Sequence, residues 1–186
     1  MGTLLRQDSA MQRVMITGGP GSGKSTLARA LGAATGLPVF HMDKLHWKPG
    51  WVPRPLAEKV PLAHAIENRT RWIFEGGLST TYDHRAARAD TLIWLDLPIG
   101  LRFWRVLRRL ITSYGRTRPD VTEDCPEVFH SETIAFWKWI WNTRHSHRTR
   151  LLRLIAAHPH LTVHHLTSRR AVRDFYARIG EKHCDH

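Results

Sequence analysis

Residues 18–26, GGPGSGKST, combine glycines with a lysine and hydroxyl side chains in a spacing suited to phosphate binding. Gly18, four further residues and Gly23-Lys24-Ser25 satisfy the pattern of a phosphate-binding loop, or P-loop. The glycines let backbone N–H groups turn inward, and the helix that follows adds the partial positive charge of its N-terminus. We therefore predict that the stretch binds a nucleoside triphosphate, with Lys24 at the β- and γ-phosphates and Ser25 on Mg²⁺. Its members are Gly18, Gly19, Pro20, Gly21, Ser22, Gly23, Lys24, Ser25 and Thr26.

Acidic residues at predicted strand ends could complete a magnesium site, because Mg²⁺ beside a nucleotide is usually also held by a carboxylate. Asp43, Glu75 and Asp96 each follow or end an apolar run. Ligands of open α/β sheets bind beyond the carboxyl ends of the strands, so all three are expected at the P-loop edge. We predict Glu75 as a metal ligand, with a substrate role as the alternative. Asp43 is predicted to be a general base or substrate ligand, whereas Asp96 is expected merely to end its strand.

Arginines form a second group with a chemical role, because phosphoryl transfer spreads negative charge that a guanidinium can stabilise. Four lie on one predicted helix and two follow it: Arg102, Arg105, Arg108, Arg109, Arg116 and Arg118. Some must be solvated surface residues. The charge stabilisers that we predict among them are Arg105, Arg109, Arg116 and Arg118.

The acceptor side of the reaction is predicted around a glycine pair. Gly76 and Gly77 follow Glu75, and their backbone could approach a substrate closely. Arg85 and Arg88 come soon after this turn and could grip an anionic group of the acceptor. Together with Asp43, these four residues are the predicted substrate-binding set.

The elements that must position these groups alternate between strands and helices. Apolar or β-branched runs predict five strands, over 13–17, 37–42, 71–77, 90–98 and 161–167. Strands that alternate with helical segments indicate βαβ units, and hence a parallel sheet covered on both faces. We predict one domain over 1–186, in which 1–10 is a disordered extension and 99–157 is a lid-containing helical insert. A polar, turn-rich stretch over 115–129 divides that insert, and a helix rich in Trp and Arg follows it.

Composition limits the possible settings and partners. The chain has 186 residues and a net charge of +12, which favours anionic partners such as nucleotides, phosphorylated substrates or nucleic acid. No apolar run suits a membrane span or a secretory signal, so the protein is expected in the cytoplasm. Cys125 and Cys184 lack metal-site spacing, and the thirteen histidines are expected to be structural or exposed.

The chain resembles the adenylate-kinase-like P-loop kinases, and in particular the small bacterial group labelled DNA topology modulation proteins. The segments that carry the resemblance are GGPGSGKST, HMDKLHWKPGW, WIFEGG, RAARADTLIWLDLP, GRTRPD, DCPE and FWKWIW. The resemblance implies a three-layer P-loop NTPase fold: a five-stranded parallel sheet in the order 2-3-1-4-5, helices on both faces and a small helical lid around 115–129. It also implies ATP, Mg²⁺ and charge stabilisation by lid arginines.

The chain departs from these families at two points. Glu75 stands where the group often has an aspartate. The Asp-Gly-x-Pro-Arg run and the AMP-binding segment of adenylate kinases are missing, which argues against AMP as acceptor.

Three functions are compatible with these features. The favoured one is an ATP-dependent kinase that transfers the γ-phosphate to a small polar or phosphorylated acceptor, whose identity the sequence leaves open along with the oligomeric state. The alternative is an ATP-regulated nucleic-acid-binding protein, indicated by the charge, the Trp- and Arg-rich helix and the family label. A slow NTPase switch ranks last, because the chain has no guanine-specifying Asn-Lys-x-Asp run.

Overall fold

The computed structural model describes residues 11–128 and 132–184, so the predicted extension over 1–10 lies outside the described residues. The strands are β1 Arg13–Gly18, β2 Val39–His41, β3 Trp47–Lys48, β4 Val52–Pro53, β5 Trp72–Glu75, β6 Thr91–Leu95 and β7 Thr162–Leu166. The helices are α1 Lys24–Thr35, α2 Met42–His46, α3 Leu56–Glu67, α4 Tyr82–Arg88, α5 Ile99–Thr112, α6 Glu132–Ala157 and α7 Arg169–Cys184.

The main sheet is parallel and has five strands in the order β2-β5-β1-β6-β7. Counted within this sheet alone, the order is 2-3-1-4-5, so the predicted fold class and strand order are confirmed. The chain numbering differs because β3 and β4 form a separate antiparallel hairpin. None of the five predicted strands covers 43–55, so sequence analysis missed both this hairpin and most of α2.

Both faces of the sheet are buried, and successive strand residues supply the two cores alternately. Val14 and Ile16 of β1 pack on the face covered by α1 and α7, whereas Met15 between them packs on the face covered by α3, α4 and α6. The same alternation occurs in β5, where Ile73 faces α1 while Trp72 and Phe74 face the other side. This period of two explains why the strands read as continuous apolar runs: each face needs its own apolar residues.

The predicted insert contains two helices, α5 and α6, but the described segment between them is not helical. We call residues 113–128 the insert loop. Isolated bridges from Tyr114 to Glu127 and from Thr117 to Pro126 close it on itself. The predicted helical lid is therefore wrong in its secondary structure. The physical reason is that prolines lack the N–H that a helix needs, and the segment contains two of them in addition to a glycine.

The insert loop is fixed to the β3–β4 hairpin. Trp51 Nε1 donates to the carbonyl of Pro126 (2.8 Å), and Thr122 Oγ1 donates to the carbonyl of Trp47 (2.7 Å). The hairpin and the insert loop thus pack against each other beyond the carboxyl ends of the strands. Among the described residues, no helix is both long and apolar enough to cross a membrane.

A close approach between α1 and β2 depends on Gly32. A Cβ atom at Gly32 would overlap Val39 Cγ2 and lie 3.3 Å from the carbonyl oxygen of Leu37. At Gly100, in the first turn of α5, nothing lies within 4 Å of the corresponding position. The first glycine is required by packing, whereas the second is not.

We predict that Gly32→Ala lowers the free energy of unfolding by about 1–2 kcal/mol, because overpacking outweighs the gain in helix propensity. Gly100→Ala is the matched control and is expected to leave the stability unchanged or raise it by up to about 1 kcal/mol. Urea unfolding of the two variants measures the difference, and equal stabilities would contradict the packing argument.

Candidate active site at the phosphate-binding loop

The predicted P-loop connects β1 to α1, as a phosphate-binding loop requires. Gly21 and Gly23 adopt positive φ angles of 73° and 95°, which bend the backbone around the future phosphate position. Ser22 N–H donates to the carbonyl of Gly19 (3.2 Å), and Lys24 Nζ donates to the same oxygen (3.3 Å). Lys24 thus lies folded over the loop, with its ammonium group on a carbonyl that a bound phosphate could replace.

Helix α5 packs directly on this loop. A Cβ atom at Gly19 would overlap the Arg102 guanidinium, and one at Gly21 would overlap the Arg102 backbone. One turn further along α5, Arg105 donates from Nη1 to the carbonyl of Ser22 (3.1 Å). Sequence analysis selected Arg105 but not Arg102, although Arg102 is the more buried of the two. Spacing alone could not tell which face of α5 meets the loop.

Two polar atoms in this contact lack partners among the described residues. Ser22 Oγ and Arg102 Nε are buried and make no hydrogen bond. Burial also lowers the pKa of Arg102, an effect that the Asp96 carboxylate partly offsets. Unsatisfied buried donors are costly to leave without partners. The loop is therefore suited to an anion that accepts hydrogen bonds.

Glu75, the predicted metal ligand, ends β5 and is almost fully buried. Its Oε1 lies 2.8 Å from His41 Nδ1, at the end of the neighbouring strand β2. Burial raises the pKa of Glu75, but the hydrogen bond with His41, the charge of Lys24 and the Ser25 hydroxyl outweigh it. The net pKa is lowered, so Glu75 is an anion at neutral pH.

Asp43, the predicted general base, lies in the first turn of α2. Its side chain faces open solvent in part, with 48% of its surface exposed, although protein surrounds the carboxylate on most sides. Burial raises the pKa of Asp43, and the negative charge of Glu75 adds to this effect, whereas Lys24 and Arg118 oppose it. A ligand that excludes water from this carboxylate would raise its pKa further.

Asp120, in the insert loop, joins the same site although sequence analysis did not select it. Its carboxylate is buried and pairs with Arg118 Nη1 (2.6 Å) and Arg29 Nη1 (3.4 Å). Burial raises the pKa of Asp120, but the charge of Arg118 and the nearby Ser25 hydroxyl lower it by more than that, so the net pKa is lowered. A lone aspartate in a turn-rich segment carries no sequence signal for such a role.

The oxygens around Ser25 fit a magnesium ion. They are hard ligands, a hydroxyl and the carboxylates of Asp43, Glu75 and Asp120. Burial and the charge of Glu75 raise the pKa of Asp43, and a cation would relieve the repulsion between these carboxylates. In the described part of the chain, the only three histidine, cysteine or acidic ligands within 4.8 Å of one another lie elsewhere. The cleft is therefore no closed protein cage, which suits Mg²⁺ because this ion keeps waters and phosphate ligands.

Arg109 and Arg118, two of the predicted charge stabilisers, converge on one carboxylate of the insert loop. Their Nε atoms lie 3.2 and 2.7 Å from Glu127 Oε1, and neither is aligned for a hydrogen bond. Arg118 Nη2 also lies 3.9 Å from Asp43 Oδ2. Burial and the nearby charge of Arg118 lower the pKa of Arg109. Two guanidinium groups that share one oxygen form a site that a further anion would stabilise.

Four more of the predicted site residues are Arg116, Gly76, Gly77 and Thr26. Arg116 is exposed on the insert loop and makes no ion pair with any described residue. Gly77 is exposed, but Gly76 is buried, and a Cβ there would lie 2.6 Å from Met42 Cβ. Gly76 thus allows α2, and with it Asp43, to approach Glu75. Thr26 is exposed in the first turn of α1.

Arg85 and Arg88 differ from their predicted role as acceptor-binding groups. Arg85 is fully buried and donates to Glu67 Oε1 (3.0 Å) and to the carbonyl of Gly76 (2.9 Å). Arg88 donates to backbone carbonyls of Glu67 and Asn68, ahead of β5 and so at the opposite edge of the sheet. From the sequence, both arginines follow the glycine turn, but the sequence could not show that Arg85 pairs with the buried carboxylate of Glu67.

Asp96 follows β6 and pairs with two basic groups. Its Oδ2 lies 3.1 Å from Arg148 Nη1 on α6 and 3.0 Å from His165 Nε2, while the His165 ring stacks on Trp94 at 4.0 Å. These contacts fasten α6 and β7 to the end of β6. Asp96 thus joins neighbouring elements, whereas the sequence analysis expected it merely to end its strand.

Helix α6 also brings His147 close to the P-loop. Burial, followed by the charges of Lys24, Arg102 and Arg150, lowers the pKa of His147 to about 4, although Asp96 opposes the shift. The imidazole is therefore neutral at physiological pH. His147 is thus an uncharged neighbour of the positive charges of Lys24 and Arg102 at the P-loop.

No protein-family model matches this sequence, and no curated protein is similar enough to count as a match. Two solved structures show the fold. The shikimate kinase from Acinetobacter baumannii, in complex with shikimate, has a TM-score of 0.53 and 15% identity, with 93% of each chain covered. The shikimate kinase from Bacteroides thetaiotaomicron has a TM-score of 0.52 and 16% identity, with 93% of this chain and 98% of the other covered. The chain thus has the fold of P-loop kinases, and the likeness to DNA topology modulation proteins stays a prediction.

The low pKa of His147 predicts a specific loss of stability in acid. This imidazole is protonated near its ordinary pKa of 6.5 in the unfolded chain and only near pH 4 in the folded protein. Neutral His147 therefore makes its full contribution to stability above about pH 6.5, and this contribution is lost as the pH falls towards 4. We expect the free energy of unfolding to fall by about 2 kcal/mol less in His147→Gln than in the wild type between about pH 7 and pH 4.5. Urea unfolding at both pH values measures it, and identical pH dependence would contradict the assignment.

Proposed function

We propose that this protein is an ATP-dependent phosphotransferase that moves the γ-phosphate of Mg-ATP to a small polar acceptor. The observation that carries the proposal is the convergence of donors and carboxylates on one edge of the sheet. Lys24 and Ser25 of the P-loop lie beside the carboxylates of Asp43, Glu75 and Asp120. Arg118 pairs with Asp120, and Arg109 lies next to Arg118. A protein that merely binds nucleotide does not need a base beside the phosphate loop.

The phosphate chain of ATP would be held by the P-loop. Its backbone N–H groups and the N-terminus of α1 supply donors, and Lys24 would exchange the carbonyl of Gly19 for phosphate oxygens. Arg102 has a free buried Nε, and Arg105 is anchored to the loop through Ser22. In this role Arg102 joins the predicted arginines. Mg²⁺ would be held by Ser25 and one or two of the carboxylates, and would neutralise charge on the β- and γ-phosphates.

Asp43 is the proposed general base. Its carboxylate would take the proton of an acceptor hydroxyl while that oxygen bonds to the γ-phosphorus and the bond from this phosphorus to the ADP oxygen breaks. Glu75 suits this task less well, because His41 already engages one of its oxygens and its net pKa is lowered. The raised pKa of Asp43 makes it the better proton acceptor of the two.

Arg109 and Arg118 would stabilise the charge that spreads over the transferred group. In the structure they are neutralised by Glu127, Asp120 and Asp43. The triphosphate brings more negative charge than these carboxylates, so we expect the guanidinium groups to exchange partners when it binds. Arg116 is exposed on the insert loop, so its predicted role as a charge stabiliser would require this loop to move towards the phosphates.

The acceptor is proposed to be a small hydroxylated molecule with an anionic group. The net charge of +12 favours an anionic partner, and the exposed Gly77 allows a close approach beside α2. One structure of the same fold holds shikimate, which is a hydroxylated acid. Arg85 and Arg88 are not part of this proposal, because the first is buried and the second lies at the other edge of the sheet.

A screen of ATP consumption with hydroxylated acids, sugars, nucleosides and nucleotides tests the proposal. We expect at least one class to raise the rate of ADP formation well above the rate with ATP alone. Tight ATP binding without any acceptor-stimulated turnover would contradict it. A parallel DNA-binding measurement at about 0.15 M salt tests the alternative, since binding that rests only on surface charge weakens steeply with salt.

Two substitutions test the assigned roles. Lys24→Met should lower kcat/KM by about 10²–10³-fold or more, because it removes a positive charge that would stabilise the negative charge of the transition state. Asp43→Asn should lower kcat by about 10²–10⁴-fold with little effect on ATP binding. Lys44→Met and Asp83→Asn, both at exposed positions, are the matched controls and should keep wild-type rates. Full activity in either site variant would overturn the corresponding role.

A further inference from the structure

We propose that His64, Glu67 and His84 form a binding site for a divalent transition metal of the zinc class. His64 and Glu67 lie three residues apart on α3, and His84 lies on α4 beside them. Their ligand atoms all lie within 4.8 Å of one another. This cluster is separate from the P-loop carboxylates and goes beyond the proposed kinase function.

The carboxylate of Glu67 is the fixed centre of the cluster. Glu67 is fully buried, and its two oxygens have different partners. Oε1 accepts from Arg85 Nε (3.0 Å), while Oε2 lies 2.6 Å from His84 Nδ1 and 3.9 Å from His64 Nε2. Arg85 thus orients the carboxylate and leaves one oxygen for the two imidazoles. A charged group that aims a metal ligand in this way is the usual support of a metal site.

The two imidazoles approach the same carboxylate oxygen of Glu67. Their ring centroids lie 4.2 Å apart with a tilt of 34°, and both address the same oxygen. A hydrogen bond satisfies His84, but His64 Nε2 has none among the described residues. Bonds of about 2.0–2.1 Å to a tetrahedral ion would separate the ligand atoms by about 3.3 Å. The observed 2.6 and 3.9 Å lie on either side of that value, so small side-chain rotations suffice.

The ligand types and the exposure indicate the kind of ion. Two imidazole nitrogens and one carboxylate oxygen suit Zn²⁺ and its neighbours, whereas Mg²⁺ and Ca²⁺ prefer oxygen ligands alone. Both histidine side chains are a little over one-third exposed, at 37% and 38%. The ion could therefore enter from solvent and keep a water or an external group as its fourth ligand.

The site would stabilise the acceptor edge of the cleft from behind. Besides Glu67, Arg85 holds the carbonyl of Gly76 (2.9 Å) and Thr81 Oγ1 (3.2 Å). An ion on Glu67 would join α3 to α4 and fix the orientation of Arg85. We therefore expect metal binding to stabilise the fold without supplying a group to the reaction.

The experiment is a calorimetric titration of chelator-treated, metal-free protein with Zn²⁺ alone. We expect one ion per chain at this site and a rise of the thermal unfolding midpoint. His64→Gln and His84→Gln should each weaken binding by more than about 10–100-fold, the loss typical of merely supporting residues. His158→Gln is the matched control, because His158 and His160 also neighbour each other but bond to backbone carbonyls. It should bind as the wild type does.

Two outcomes would overturn the site: no zinc binding by the wild type, or binding that both His64→Gln and His84→Gln leave unchanged. Should either variant fold poorly without metal, NMR of the wild type decides. Zn²⁺ must then shift the imidazole signals of His64 and His84 before those of other histidines. Shifts confined to other histidines would contradict the proposal.

Discussion

The close contact between α5 and the P-loop is the constraint on which the rest of the site depends. Gly19 and Gly21 have no Cβ atoms, and only this lets the Arg102 backbone and guanidinium lie against the loop. Once α5 is fixed there, its next turns direct Arg105 to Ser22 and Arg109 to Glu127. The insert loop must then return across the carboxyl edge of the sheet, which brings Asp120 and Arg118 to Ser25 and Asp43. A single backbone contact thus assembles groups that lie almost 100 residues apart.

Charge balance explains how this assembly can be stable and still reactive. Lys24, Arg109 and Arg118 face Asp43, Glu75, Asp120 and Glu127, so these seven groups nearly balance one another although the chain carries a net charge of +12. Several of these contacts are imperfect: two guanidinium groups share one oxygen without hydrogen-bond alignment, and Arg102 Nε has no described partner. Buried charges with incomplete partners gain most from a new counterion. ATP with Mg²⁺ would bring both signs of charge to the same place.

The sequence predicted the sheet well because each strand is an apolar run that serves two cores. The P-loop and the positions of Asp43 and Glu75 follow from glycine spacing and strand ends, whereas the strand order was implied by the resemblance to adenylate-kinase-like P-loop kinases. Helix faces and loop contacts could not be predicted in this way. Arg102 rather than Arg105 lies deepest on the loop, Asp120 comes from a segment without periodicity, and Arg85 is neutralised by Glu67 from another helix. The histidine cluster was missed for the same reason, since His84 lies 17 residues beyond Glu67.

The fate of the γ-phosphate tests the central claim most directly. ³¹P NMR of the protein with Mg-ATP and a mixture of hydroxylated acids distinguishes transfer from hydrolysis in one sample. We predict a new phosphate-ester signal that grows in step with the signal of ADP. Formation of ADP with inorganic phosphate as its sole partner, or no loss of ATP at all, would contradict the assignment of this site to phosphoryl transfer.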